Sequence, residues 1–114
     1  MNKRTLYITD LDGTLLNDSA QLRSFSADIL NQLLVQHGIL LTIATARSYS
    51  SASSIVQGLC LKLPFATYNG AFLVRPEDGC ILSKHSIEKS LLPTLIDSIL
   101  KAEISPLVYS LIHG

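Results

Sequence analysis

Two short apolar runs separated by one amphipathic segment limit the fold of this chain more than any other feature. Residues 5–9 and 39–44 are apolar and partly β-branched, which is typical of buried strands. Between them, apolar side chains recur at helical spacing over residues 21–37, and Gly38 follows where a helix commonly ends. A strand, a helix and a second buried strand form a βαβ unit, which implies a parallel sheet.

The same alternation continues along the next part of the chain. A second helical stripe begins at Tyr49 and ends near Gly58, and residues 65–68 form a third apolar run. Residues 1 to about 70 therefore predict an α/β fold with a doubly wound parallel sheet.

The pattern changes after this third run. Residues 71–75 and 80–84 are strand-like and flank residues 76–79, a Pro-Glu-Asp-Gly sequence that is typical of a turn. We therefore expect a β-hairpin. A helical stripe over residues 90–102 and a strand-like run over residues 107–112 follow it.

Composition limits the partners and the location of this chain. Only 16% of its 114 residues are charged and the formal net charge is +0, so we do not expect binding to nucleic acid through bulk charge. No apolar run is long enough to span a bilayer and none resembles a secretion signal, so we expect a cytoplasmic protein without membrane contact. Cys60 and Cys80 lack metal-ligand spacing, and we expect reduced, partly buried thiols.

Two carboxylates follow the first predicted strand. In an open parallel sheet, ligands bind at the carboxyl ends of the strands, where Asp10 and Asp12 would lie. Two aspartates this close repel each other unless a cation is present, and Mg²⁺ prefers oxygen ligands. With its charge neutralised in this way, Asp10 can attack phosphorus as a nucleophile, and Asp12 can act as general acid and base. The alternative is a turn whose carboxylates are simply solvated.

The sequence Asp-Leu-Asp-Gly-Thr-Leu-Leu at residues 10–16, placed after a strand, resembles the first motif of the haloacid-dehalogenase superfamily. The resemblance implies that Asp10 is the nucleophile and Asp12 the general acid and base. It also implies a Mg²⁺ ion held by the Asp10 carboxylate and the main-chain carbonyl of Asp12. The presence of the second aspartate indicates phosphate chemistry, because the dehalogenases of that superfamily lack it.

Two further segments resemble motifs of the Cof-like branch of this superfamily. Residues 42–47 are similar to its second motif, which implies that the Thr45 hydroxyl binds the phosphoryl group. Arg47 is either a substrate contact or a solvated surface residue. The Tyr-Asn-Gly-Ala sequence at residues 68–71 also matches the branch, and Asn69 has either a turn role or a role in binding substrate.

The resemblance also implies a domain organisation. Residues 1–82 correspond to part of the core domain, and residues 83–114 to the beginning of an inserted α/β cap domain. The lysine and the acidic residues of the family's later motifs have no counterpart here, so we expect a truncated chain that binds Mg²⁺ weakly and has negligible turnover alone. Truncation would leave Thr5–Thr9 as an exposed sheet edge, which favours self-association.

The function implied is Mg²⁺-dependent hydrolysis of small phosphorylated metabolites, such as sugar phosphates, through an aspartyl phosphate. Two alternatives remain open at this point. A phosphomutase of the same superfamily shares the first motif, and a non-catalytic phosphate-binding or interaction remnant would retain the fold without the chemistry.

Overall fold

The predicted βαβ unit is confirmed in the computed structural model, which describes residues 4–112. Strand β1 (Leu6–Thr9) and strand β2 (Leu40–Ile43) pair in parallel, and helix α1 (Ser24–Gln36) connects them. Because β1 and β2 run in the same direction, their carboxyl ends lie at one edge of the sheet.

The third strand extends this arrangement after helix α2 (Tyr49–Ile55). Strand β3 (Phe65–Thr67) is joined to the first pair by a parallel bridge between Ala44 and Ala66. The carboxyl end of β3 therefore lies beside those of β1 and β2.

Helix α2 is shorter than predicted, since it ends at Ile55 rather than near Gly58. Two of its serine hydroxyls donate to main-chain carbonyls of the same helix. Ser53 donates to the Ser50 carbonyl at 3.3 Å, and Ser54 donates to the Ser51 carbonyl at 2.9 Å. Such side chains compete with the helical backbone, and serine has only modest helix propensity.

The predicted β-hairpin is present as strand β4 (Phe72–Val74) and strand β5 (Ile81–Lys84), with β4 paired to β3 and β5 in antiparallel fashion. Gly79 closes the turn with φ +72°, and the Tyr49 hydroxyl donates to the Pro76 carbonyl at 2.9 Å. The turn therefore packs directly on α2.

Helix α3 (Leu92–Lys101) follows a short helical turn at Lys89–Leu91, as the periodicity predicts. The strand expected over residues 107–112 is wrong, because this segment forms no regular structure and its side chains are exposed. A strand needs a neighbour to receive its backbone hydrogen bonds, and none is present for it in the described range. No described helix is long and apolar enough to cross a membrane.

The expectation of partly buried thiols is also wrong, since Cys60 and Cys80 are both free and exposed. Cys60 lies between Leu59 and Leu61, which both pack on the core, so the thiol between them points outward. Cys80 follows the hairpin turn, where it meets no packed layer.

The core lies between the sheet and α2. Its hydrophobic side chains come from every strand except β1 and β5, from α2 and from the loops after β1 and α2: Leu11, Leu16, Leu41, Ile43, Ala52, Val56, Leu59, Phe65 and Val74 are buried. Phe65 stacks on the ring of Tyr49 with centroids 6.0 Å apart, which ties β3 to α2.

The packing of the hairpin turn on α2 gives a stability prediction. A Cβ at Gly79 would overlap the ring of Tyr49, and the positive φ adds backbone strain. We expect Gly79→Ala to lower the free energy of unfolding by at least about 1 kcal/mol in urea denaturation.

The matched control is Gly58→Ala, where an added Cβ meets no atom within 4 Å. We expect this change to alter stability by no more than about 0.5 kcal/mol. Equal losses in the two variants would contradict the proposed contact with Tyr49.

Candidate active site

The loop after β1 is anchored by one side chain between two acids. Leu11 is fully buried in the core, whereas its neighbours Asp10 and Asp12 are exposed. Asp10 is extended (φ −78°, ψ 164°), and one of its carboxylate oxygens accepts from the Leu11 amide at 2.7 Å. Gly13 then takes φ +72°, and the Leu16 amide closes the loop on the Leu11 carbonyl at 2.9 Å. Burial of Leu11 therefore fixes both acids at the sheet edge.

Thr45 lies at the carboxyl end of β2, between β1 and β3. The Ala44 amide bonds the Thr9 carbonyl at 2.9 Å, and the Thr45 amide bonds the Ala66 carbonyl at 3.0 Å. The buried Thr45 hydroxyl accepts from the Arg47 amide at 3.1 Å. Because its oxygen acts as the acceptor there, its own hydrogen remains able to donate to a ligand.

Asn69 has the turn role that its sequence leaves open, and it lies beside the two aspartates. It adopts a left-handed conformation (φ 55°) in the turn after β3, and it also lines the same cleft as the acids. Its amide bonds the Thr45 carbonyl at 3.0 Å, while the Tyr68 amide bonds the Arg47 carbonyl at 3.1 Å. These bonds hold the turn against the loop after β2.

The structure thus brings four of the predicted site residues together. They line an open cleft of about 350 Å³ whose walls are Asp10, Asp12, Ala44, Thr45, Ala46, Ala66, Asn69 and Gly70. A larger cavity of about 430 Å³ lies between the segment after α2 and the hairpin turn, and its one acidic lining residue is Glu77. We assign the site to the smaller cleft because it holds the paired acids.

The Arg47 side chain is partly buried and is paired with Asp12. Its Nε donates to Asp12 Oδ2 at 2.7 Å and its Nη2 to Asp12 Oδ1 at 2.6 Å, while Nη1 donates to the Ser51 hydroxyl at 3.0 Å. The Arg47 side chain is 25% exposed and that of Asp12 is 52% exposed. Sequence reasoning missed Ser51, whose only signal is its position four residues after Arg47.

This forked ion pair shifts the pKa of Asp12. Hydrogen bonds from Arg47 hold the pKa of Asp12 below its ordinary value of 3.8, although desolvation acts in the opposite direction. The same bonds raise the pKa of Arg47.

The oxygen donors of the cleft are of the type that Mg²⁺ prefers. One Asp10 oxygen accepts from the Leu11 amide, and the main-chain carbonyl of Asp12 lies in the same loop. No group of three acidic, histidine or cysteine side chains suited to a metal occurs among residues 4–112. The residues that could hold a Mg²⁺ ion here are Asp10, through its carboxylate, and Asp12, through its main-chain carbonyl, and such an ion commonly keeps several water ligands.

A comparison with family models agrees with this geometry. Residues 7–113 match the model of the haloacid dehalogenase-like hydrolases. The chain belongs to this family. The family assignment made from the first motif is therefore confirmed.

Relatives of known sequence or structure add detail. The chain is 38% identical over 78 residues to 5-amino-6-(5-phospho-D-ribitylamino)uracil phosphatase of Bacillus subtilis, covering 67% of this chain and 28% of the relative. A haloacid dehalogenase-like hydrolase structure from B. subtilis aligns with TM-score 0.71 and 28% identity, over 86% of this chain and 34% of that one.

A phosphatase structure of the same superfamily from Bacteroides thetaiotaomicron aligns with TM-score 0.74 and 24% identity, which supports the fold. That alignment covers 88% of this chain and 36% of the other. The chain therefore spans about a third of the length of the proteins that it matches.

The ion pair between Arg47 and Asp12 gives a prediction for the pH at which Asp12 titrates. In Arg47→Gln the hydrogen bonds that favour the Asp12 carboxylate are lost, so we expect the pKa of Asp12 to rise towards its ordinary value. The shift can be measured by following the carboxyl ¹³C resonance of Asp12 as the pH falls. In the unmodified chain, the lowered pKa of Asp12 stabilises the folded state at pH values above the ordinary pKa. This stabilisation is lost as the pH falls through the lowered pKa.

Arg75→Gln is the control for this measurement, because Arg75 pairs with Asp78 and not with Asp12. We expect it to leave the titration of Asp12 unchanged. An Asp12 titration that is the same with Arg47→Gln as in the unmodified chain would show that Arg47 does not control this carboxyl in solution.

Proposed function

We propose that this chain carries the nucleophile and the acid–base group of a Mg²⁺-dependent phosphatase for small phosphorylated metabolites. The observation that carries the proposal is the convergence of Asp10, Asp12 and Thr45 on one cleft at the carboxyl ends of parallel strands. Family membership and the phosphatase among the relatives support the reaction class.

The chemistry proceeds in two steps. An Asp10 oxygen attacks phosphorus and the bond between phosphorus and the alcohol oxygen breaks, while Asp12 donates its proton to that oxygen. Asp12 then takes a proton from water, whose oxygen attacks the aspartyl phosphate. Inorganic phosphate leaves and the Asp10 carboxylate is restored. When bound, Mg²⁺ neutralises charge between the carboxylate and the incoming phosphate.

Arg47 connects substrate binding to the state of Asp12. Its guanidinium donates two parallel hydrogen bonds to the Asp12 carboxylate. The same geometry suits phosphate oxygens equally well. A bound phosphate ester can therefore compete with Asp12 for Arg47. Once released from Arg47, Asp12 holds a proton more readily, as the first step requires.

The phosphatase among the relatives supports one substrate class. That enzyme removes phosphate from a compound with a phosphoribityl group, which is a phosphorylated polyol. We propose a sugar or polyol phosphate for this protein as well. A phosphomutase shares the nucleophile, but no feature of the described cleft favours it over a phosphatase.

Phosphorylation of Asp10 tests this proposal directly. Acetyl phosphate is a reactive phosphoryl donor, so it can report on the nucleophile without a complete catalytic set. We expect incubation with acetyl phosphate and Mg²⁺ to add one phosphoryl group, assigned by mass spectrometry to Asp10. Asp10→Asn should remove the adduct, and Asp18→Asn, on the same loop but outside the cleft, should not. A chain that is never modified at Asp10 would overturn the proposal.

Thr45 provides a second test of the same cleft. Thr45→Ser keeps the hydroxyl and should retain the phosphoryl adduct, whereas Thr45→Val keeps the volume but removes the donor. We expect the rate of adduct formation to fall about tenfold or more in Thr45→Val, consistent with the loss of one hydrogen bond to a charged group. Equal rates in the two variants would exclude a phosphate contact through this hydroxyl.

A further inference from the structure

Arg47 is held by hydrogen bonds at its main chain and at the tip of its side chain. Its amide donates to the Thr45 hydroxyl at 3.1 Å, and its carbonyl accepts from the Tyr68 amide at 3.1 Å. At the far end of the side chain, Nη1 donates to the Ser51 hydroxyl at 3.0 Å. The main chain of Arg47 is therefore fixed by the loops of the site, and Ser51 fixes its guanidinium relative to helix α2.

Ser51 lies on a well-packed part of α2. The next residue, Ala52, is fully buried in the core, and Tyr49, two residues before Ser51, stacks on Phe65. The Ser51 amide donates at 3.2 Å to the hydroxyl of Ser48, which caps the helix. The Ser51 hydroxyl therefore has little freedom to follow the guanidinium if it moves.

The ion pair between Arg47 and Asp12 needs this anchor. The Asp12 side chain is 52% exposed, so the carboxylate and the guanidinium can turn together while they keep both of their hydrogen bonds. Holding two long or exposed side chains in one geometry costs conformational entropy, so an exposed ion pair alone fixes little. The third bond, to Ser51, ties the pair to helix α2.

We propose that Ser51 is a positioning residue for phosphate binding. It keeps the Arg47 guanidinium at the cleft when a phosphate oxygen displaces the Asp12 carboxylate. Ser51 contacts Nη1, whereas Asp12 contacts Nε and Nη2, so the bond to Ser51 can persist after Asp12 is displaced. This role rests on the proposed function, since it assumes a phosphate ligand in the cleft.

The neighbouring serines, all within the described part of the chain, make other contacts. The hydroxyls of Ser48 and Ser50 lie 3.2 Å from each other, and those of Ser53 and Ser54 donate to carbonyls of their own helix. In this serine-rich segment, the hydroxyl that contacts Arg47 is therefore that of Ser51. The segment also provides a control on the same helix, since Ser53→Ala removes a hydroxyl that does not contact Arg47.

Binding of inorganic phosphate tests this role without requiring catalysis. At a fixed Mg²⁺ concentration, a phosphate titration can be followed through the main-chain amide resonances of Ala46 and Gly70, which line the cleft. We expect Ser51→Ala to raise the dissociation constant about threefold to tenfold, because the guanidinium must then be ordered on binding. Ser51→Thr, which keeps the hydroxyl, should bind phosphate as tightly as the unmodified chain, and Ser53→Ala should leave binding unchanged.

A double-mutant cycle shows whether Ser51 acts through Arg47. Arg47→Gln alone should weaken phosphate binding, and adding Ser51→Ala should then cause no further loss. The Nε–Hε resonance of Arg47 gives an independent measure. Its order parameter should fall in Ser51→Ala but not in Ser53→Ala, because only the first change removes the contact with α2.

The possible results separate this role from the proposed reaction, once circular dichroism shows that each variant is folded. Weaker binding in Ser51→Ala that Ser51→Thr does not show, and that disappears in the Arg47→Gln background, supports the proposal. Binding or an Arg47 order parameter that Ser51→Ala leaves unchanged overturns it, as does an equal loss in the Arg47→Gln background or a lack of phosphate binding by the unmodified chain.

The acetyl phosphate experiment keeps the two proposals distinct. If acetyl phosphate fails to modify Asp10 while the effects of Ser51→Ala on phosphate binding are present, the proposed reaction is wrong and the positioning role of Ser51 is supported.

Discussion

The parallel bridge between Ala44 and Ala66 joins the two parts of the described sheet, and the candidate site is built around it. On one side of this bridge β1 and β2 carry the paired acids, and on the other side β3 and the hairpin carry Asn69. The Thr45 amide bonds across it to the Ala66 carbonyl, so Thr45 has a fixed position relative to both parts. Main-chain bonds from Asn69 to Thr45 and from Tyr68 to Arg47 hold the two parts together beside this bridge.

Much of the fold could be predicted because its signals are local. The βαβ unit and the hairpin follow from the spacing of apolar residues and from a Pro-Glu-Asp-Gly turn, and each was found close to its expected bounds. The strand expected over residues 107–112 was wrong because a strand depends on a partner, which apolar spacing does not reveal. The exposure of Cys60 was missed because it depends on which of three neighbouring side chains face the core.

The candidate site was likewise predictable from the sequence only in part. Asp10, Asp12, Thr45 and Asn69 could be brought together from sequence, because strand ends in a parallel sheet meet at one edge. The pairing of Arg47 with Asp12 could not, because the order of the strands places the two loops at one edge but does not set the direction of either side chain. This pair is also the contact that lowers the pKa of Asp12, so the direction of that shift was not accessible from sequence.

The burial of Leu11 between the two aspartates makes the loop inseparable from the hydrophobic interior. Moving either acid by more than a small rotation requires withdrawing a fully buried leucine, which exposes apolar surface and opens a void. Local fluctuations of the loop are therefore suppressed, and it opens only when the surrounding interior opens. The spacing of the charges is thus as durable as the packing beneath it, although the acids themselves are in contact with solvent.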